Sequence, residues 1–303
     1  MTTPTRVSIP DHELDGFAEK LVRASERVDW VPFSRLAFPE RLEPDRPLMS
    51  AEVSSLSDHP AFLALNAEAR WRFGLLETVS FFSLNIHGEQ SLVAELVTRL
   101  YRGRFGSGSP AVSRYLQHFI HEENSHTYML AEFCNRYYGR VMPEVVSRFE
   151  TPSLSRAGTD LLFFARVYVL ETLLDLVNRA CMQDETLDPT VRAVHRAHHV
   201  DEARHMAFDR AIISSLALEM RDALQFDELD TVERLVSGYA RYAFSLLANP
   251  RVYREAGIAD PLRVMKEIQA SPRWRALETR WWHPVETFFH KVGVFRAPEA
   301  VPE

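Results

Sequence analysis

The chain has 303 residues, 46% of them hydrophobic and 25% charged, enough apolar material for one large core or two ordinary ones. Its net charge of −7 leaves no basic footprint, so nucleic acid and an anionic membrane surface are poor candidates as partners. The cysteines, Cys134 and Cys181, each lie in an apolar helical stretch and read as reduced core thiols, as expected of a cytoplasmic protein, rather than a disulfide or a zinc site.

Helical periodicity dominates from end to end, without a convincing alternating strand pattern. The start, Met-Thr-Thr-Pro-Thr-Arg-Val, lacks the apolar run of a signal peptide. A first helix is expected over 11–28, with Asp11 as its N-cap after Pro10. A connector over 30–58, carrying Pro32, Pro39, Pro44 and Pro47, should wrap the body in extended conformation. Helices are then expected at 60–75, 76–105, 110–140, 156–182, 187–222, 227–249 and 273–291. The stretch Phe105-Gly-Ser-Gly-Ser-Pro110 marks a turn, and residues 184–189 mark the matching break in the second half. The most apolar window, 161–182, contains Arg166, Glu171, Asp175, Asn178 and Arg179, too many polar groups for a membrane span. A single domain over 1–303 is the simpler reading. Residues 1–58 form an N-terminal helix and arm, 76–222 the core, and 223–303 the C-terminal helices.

One chemical pattern occurs twice. Glu89 is followed 34 residues later by Glu123, and His126 completes Glu-Asn-Ser-His. Glu171 is followed 31 residues later by Glu202, and His205 completes Glu-Ala-Arg-His. The midpoint of each gap falls inside one of the two breaks, so in an antiparallel hairpin each lone Glu lies level with its partner, roughly 25 Å from the turn. Glu and His three apart share a helix face. A single such pair is usually a solvated surface feature; two at matched hairpin spacing match the way a four-helix bundle holds two metal ions. Glu171 sits within Val-Tyr-Val-Leu-Glu-Thr-Leu-Leu, where a carboxylate without a partner would be costly to bury.

The second half adds His198, one turn before Glu202 and on the same stripe as His205. Its counterpart in the first half is Phe119, so one metal position should be richer in nitrogen. His199 points about 100° away and is read as an indirect support or a partner contact; His195 is placed at a pocket mouth. Glu122 and Asp201 precede the two motifs, where each could accept the ring N–H of a ligating His from the opposite hairpin. Asp175 could serve similarly or pair with Arg179. Four carboxylates neutralise two divalent ions, and oxidation to two trivalent ions leaves about two positive charges for a bridging dianion. Such a donor set favours iron that activates O2, with manganese as the competitor.

The ordered set Glu89, Glu123-x-x-His126, Glu171, His198-x-x-x-Glu202-x-x-His205 resembles the non-haem di-iron N-oxygenases typified by p-aminobenzoate N-oxygenase. The resemblance spans about residues 70–290, and Glu89 is preferred over Glu95, which falls on the opposite helix face. It implies an all-α, ferritin-like four-helix bundle with flanking helices, usually a homodimer. It also implies two iron ions, O2 as co-substrate and an external electron donor. The implied chemistry is oxidation of an amine, typically aromatic, to hydroxylamine or nitro through a peroxo-diferric species in antibiotic and other natural-product biosynthesis. A substrate pocket is expected beside the metals, lined from the helices bearing Phe81, Phe82, Leu84, Val177, Asn178 and Cys181, although Phe81, Phe82 and the neighbouring apolar residues more often serve as plain core than as a substrate box. Arg280, Lys291 and Arg296 are the candidates to meet a substrate carboxylate, with exposed solubilising charge as the commoner role for each.

Two other classes compete. Carbon hydroxylation or desaturation could use the same ligands, though carbon-oxidising relatives largely lack a third His such as His198. Iron storage or ferroxidase activity would suit a shorter bundle without large flanks.

Overall fold

The computed structural model describes residues 11–28, 36–101, 109–145 and 152–296, and among these it contains helices and no strand. Four long helices make the body: α3 (Ala67–Tyr101), α4 (Pro110–Tyr137), α5 (Arg156–Gln183) and α6 (Pro189–Asp222), preceded by α1 (Asp11–Ser25) and α2 (Pro60–Leu63). They form a ferritin-like bundle of two antiparallel hairpins. In the first, Cys134 Sγ lies 3.9 Å from the Val79 carbonyl near one end, and Gln117 donates to Tyr101 Oη over 3.1 Å near the other. The N-termini carry the expected chemistry. Ser109 accepts from the Val112 N–H ahead of Pro110, and Asp188 accepts from Thr190 and Val191 ahead of Pro189. Pro10, the acceptor role of Asp11 and the Gly-Ser turn itself lie outside the described residues.

The bundle differs from the sequence expectation in two places. No break separates 60–75 from 76–105: α3 runs 35 residues, because no proline occurs between Pro60 and Pro110 to interrupt its ladder. The C-terminal region holds more helix than expected. Between α7 (Phe226–Ser245) and α10 (Pro272–Val292) lie α8 (Pro250–Glu255) and α9 (Pro261–Ala270). Asn249 and Asp260 cap these two, each followed by a proline at the first helical position.

The C-terminal helices close the bundle through aromatic packing. Phe244 stacks on Trp281 at 5.6 Å between centroids, and Tyr168 of α5 meets Phe288 at 5.1 Å. The arm over 36–58 folds in turns and bends, not in the extended conformation expected, because it bonds to both hairpins: Thr78 of the first donates to the Leu48 carbonyl, and at the second the Glu43 N–H donates to Asp188 and the Asp188 N–H donates to the Pro47 carbonyl. Gly88 matters at the site, since a Cβ there would come within 2.7 Å of Leu170 Cδ2 on α5, one residue from Glu89. No helix among the described residues is long and apolar enough to cross a membrane.

Cys134 and Cys181 are fully buried free thiols, and burial pushes both up to about 12. Native protein at pH 8 should therefore leave both unalkylated by iodoacetamide over hours, while denatured protein takes up two equivalents, as mass spectrometry would read.

Candidate metal centre

The four long helices bring all seven predicted donors to the middle of the bundle. Glu89 comes from α3, Glu123 and His126 from α4, Glu171 from α5, and His198, Glu202 and His205 from α6; every one is buried. They fall into two groups, Glu89–His126–His198–Glu202 and Glu123–Glu171–Glu202–His205, with the donor atoms of each group within 4.8 Å of one another. Glu202 belongs to both. Its Oε1 lies 2.7 Å from His198 Nε2 and 3.5 Å from His126 Nδ1, while Oε2 lies 3.5 Å from His205 Nδ1. Glu123 divides its oxygens in the same way, 2.6 Å from His205 Nδ1 and 3.9 Å from His126 Nδ1. The first group holds two imidazoles and the second one, so the nitrogen-richer position is the one containing His198.

The electrostatics suit a pair of cations. Both oxygens of Glu89 and of Glu171, Oε2 of Glu202 and Nδ1 of His205 make no hydrogen bond of acceptable geometry among the described residues, although all are buried. Such atoms are expensive unless something inside the cluster satisfies them. Burial pushes Glu89 up, and burial together with the neighbouring carboxyls of Asp209 and Glu202 pushes Glu171 well up. Burial, the largest single influence, would lower His198, but the charge and hydrogen bond of Glu202 together with the hydrogen bond of Glu89 outweigh it and lift the ring to about 9. Against the same burial penalty, His126 and His205 are raised well above the usual imidazole range by hydrogen bonds and charge from the surrounding acids. Two divalent ions would replace the protons these groups otherwise hold, and four carboxylates would balance their charge.

The residues behind the donors form a crossed lattice. His205 Nε2 lies 2.8 Å from Glu122 Oε2, and His126 Nε2 lies 3.2 Å from Asp201 Oδ2, each bond running between the two hairpins. Arg204, which sequence reasoning passed over inside Glu-Ala-Arg-His, ties both acids together by donating to Glu122 Oε1 over 2.7 Å and to Asp201 Oδ1 over 2.5 Å. Burial opposes ionisation of these two acids. The His ring bound to each, then Arg204, prevails and holds both below the ordinary carboxylate range.

Asp175 is buried as well, but it pairs with Arg179 at 3.0 Å and with His199 at 2.5 Å, and no hydrogen bond or ion pair joins it to the seven donors among the described residues. Phe119, opposite in register to His198, stacks on His205 at 3.9 Å between centroids. Asp209 is a further buried acid, one turn beyond His205 on the same stripe, and burial pushes it up to about 8. Its signal was legible as the next member of the His198, Glu202, His205 series.

Comparison with known proteins agrees with this geometry. The profile of p-aminobenzoate N-oxygenase AurF matches residues 11–293. This chain belongs to the p-aminobenzoate N-oxygenase family. No curated protein sequence matches it. Among solved structures, a variant of an R2-like ligand-binding oxidase with an anaerobically reconstituted Mn/Fe cofactor is similar at TM-score 0.52 and 14% identity, covering 94% of this chain and 95% of that one. Another form of that oxidase, aerobically reconstituted and photoconverted, is similar at TM-score 0.46 and 16% identity, covering 87% and 92%. The first likeness shows the ferritin-like fold. Membership of the N-oxygenase family, with two clusters able to hold metals, gives the coarse class as a di-metal oxidase or oxygenase.

In this member of the N-oxygenase family, a cavity of about 370 Å³ opens directly on Glu89, Glu123, Glu171 and Glu202. Its walls come from α3 (Ser80, Leu84, His87, Gly88), the segment 142–145, α5 (Phe163, Arg166, Leu170, Leu174) and α7 (Tyr239, Tyr242). Of the pocket residues expected from the sequence, only Leu84 lines it; Phe81, Phe82, Val177, Asn178 and Cys181 do not. Phe81 and Phe82 pack on the His195 ring at 5.6 and 5.1 Å, Asn178 lies between His195 and His198, and Cys181 meets Met49.

His195 is accordingly fully buried, not at a pocket mouth. The expected carboxylate-binding cations are also elsewhere. Arg280 pairs with Glu52 at 2.5 Å, Arg296 pairs with Asp230, and Lys291 is exposed. Arg166, five residues before Glu171, is the Arg or Lys that lines the cavity among the described residues, its guanidinium 5.8 Å from the Tyr239 ring centroid.

Proposed function

We propose that this chain is a di-iron, O2-dependent N-oxygenase acting on an aromatic amine. The observation that carries the reading is an apolar-walled cavity that ends on the carboxylates of a donor set with a third imidazole, His198. Glu89, His126, His198 and Glu202 would hold one iron, and Glu123, Glu171, Glu202 and His205 the other, with manganese as a possible substitute. When bound, the iron pair supplies O2 activation using two electrons from an external donor.

The protein's own part is to bind, orient and exclude. Leu84, Phe163, Leu170 and Leu174 give the aromatic ring an apolar seat and keep water from the carboxylate end, so the amine nitrogen is the group presented there. The overall conversion is ArNH2 + O2 + 2e− + 2H+ → ArNHOH + H2O, and further rounds would carry the product to nitroso and nitro.

The test is product analysis under 18O2 with iron-loaded, reduced protein and a panel of arylamines. Label on nitrogen is the expected result. Label on carbon, or loss of two hydrogens, would favour the carbon hydroxylase or desaturase reading. Iron oxidation with no organic product would favour a ferroxidase.

Arg166 gives the cavity a cationic wall, which suits an amine that also carries a carboxylate. Arg166→Leu should raise KM for a carboxylated arylamine roughly 10–100-fold, the worth of one charged hydrogen bond. KM for aniline should stay within about twofold. Steady-state kinetics on the two substrates reads the difference.

A further inference from the structure

Three imidazoles face the cluster, and two of them lean on carboxylates: His205 on Glu122 and His126 on Asp201. His198 does not. Its Nε2 faces Glu202 Oε1 at 2.7 Å and Glu89 Oε1 at 3.2 Å, while its Nδ1 meets the Asn178 side-chain amide at 3.0 Å. The other end of that amide lies 2.8 Å from His195 Nδ1. All three side chains are fully buried. The structure sets the amide Nδ2 toward His198 and Oδ1 toward His195; a half-turn exchanges the two ends without changing the shape, and the protonation of the rings decides between them.

With His198 Nε2 committed to a metal, Nδ1 carries the remaining proton and must donate, which only the amide oxygen can accept. The amide NH2 then faces His195 and needs an acceptor, so His195 Nδ1 is bare and its proton sits on the buried Nε2, which has no hydrogen-bond partner among the described residues. A neutral His195 is what this environment favours, since burial and the nearby His198 lower it to about 3.

We propose that Asn178, held by His195, is the positioning residue for His198. It acts as a neutral amide clamp that fixes the ring with Nε2 toward Glu89 and Glu202. This deepens the di-metal reading and rests on it. A neutral acceptor polarises an imidazole less than a carboxylate does, so His198 is the least strongly supported of the three imidazole donors.

The test is iron(II) binding under anaerobic conditions, measured as metal per chain and by chelator competition, on full-length wild type, Asn178→Leu and Asn178→Asp. Circular dichroism serves as the fold control. Asn178→Leu has a similar shape and no acceptor, and should weaken one of the two iron positions 10–100-fold, as removal of such a support typically does. Asn178→Asp restores an acceptor for His198 Nδ1–H and should hold that iron at least as tightly as wild type. A purely packing role predicts the reverse order, because an apolar side chain suits a buried site better than an added charge.

Wild-type affinity in Asn178→Leu, or weaker binding in Asn178→Asp than in Asn178→Leu, would overturn the proposal. Wild type that binds two irons and yields no N-oxygenated product would instead remove the functional reading and leave the clamp standing.

Discussion

Glu202→Gln should empty both metal positions at once, whereas Glu89→Gln and Glu171→Gln should each empty one. The distinction follows from where the oxygens point. Glu202 Oε1 faces His198 and His126, and Oε2 faces His205, so this carboxylate is the donor common to both groups. Glu89 and Glu171 each occur in a single group. Glutamine keeps the shape but removes the charge and replaces one acceptor oxygen with a donor that cannot ligate. Relative to wild type loaded with two irons per chain, the expected content is about one for the single-group variants and well below one for Glu202→Gln, with O2-dependent turnover down at least about 100-fold. Elemental analysis after desalting gives the ratio directly, and helical content by circular dichroism should be unchanged. Two tightly held irons in Glu202→Gln would show that the two groups do not share this side chain.

The donors were legible in the sequence because two independent periodicities had to agree. The 3.6-residue turn puts Glu123 with His126, and His198 with Glu202 and His205, on common stripes, while hairpin length sets Glu89 level with Glu123 and Glu171 level with Glu202. Glu122 and Asp201 could be placed for the same reason, since each sits one residue before a donor and reaches across to the opposite hairpin.

The pocket was not legible. A sequence shows which face of a helix turns inward, but not whether that face meets a ring, a donor or a void. Phe81, Phe82 and Asn178 are inward and close to the cluster, yet His195 and His198 occupy the space they face. The cavity lies on the side of Ser80, Leu84, His87 and Gly88, where Arg166 enters from α5 and Tyr239 from α7. Identifying Arg166 required knowing that α7 covers that side, a contact some 70 residues away in sequence that no local pattern encodes. The short helices α8 and α9 escaped for a different reason: at 6 and 10 residues they offer too few turns for periodicity to register. Their Asn-Pro and Asp-Pro starts were the available signal.

Arg204→Leu should be the most destabilising substitution at the centre that removes no metal donor. Arg204 is only 11% exposed at its side chain and is the cation between Glu122 and Asp201, which approach it from different hairpins. Without it, two buried acids lie near each other with only the rings of His205 and His126 to offset their charge. Removing one partner of a buried ion pair costs about 3–5 kcal/mol, which for a chain of this size corresponds to roughly 5–8 °C in Tm. The loss should also reach the metals, because freed acids no longer hold the His205 and His126 rings in place. Each iron position would then weaken roughly 10-fold or more. Arg204→Lys should recover only part of either loss, since one ammonium replaces a planar guanidinium that serves both acids. Differential scanning calorimetry with parallel iron titration separates this from a surface effect. A Tm within about 2 °C of wild type, with unaltered iron affinity, would mean that the acids find other counter-charges and that Arg204 is not what joins the hairpins at the centre.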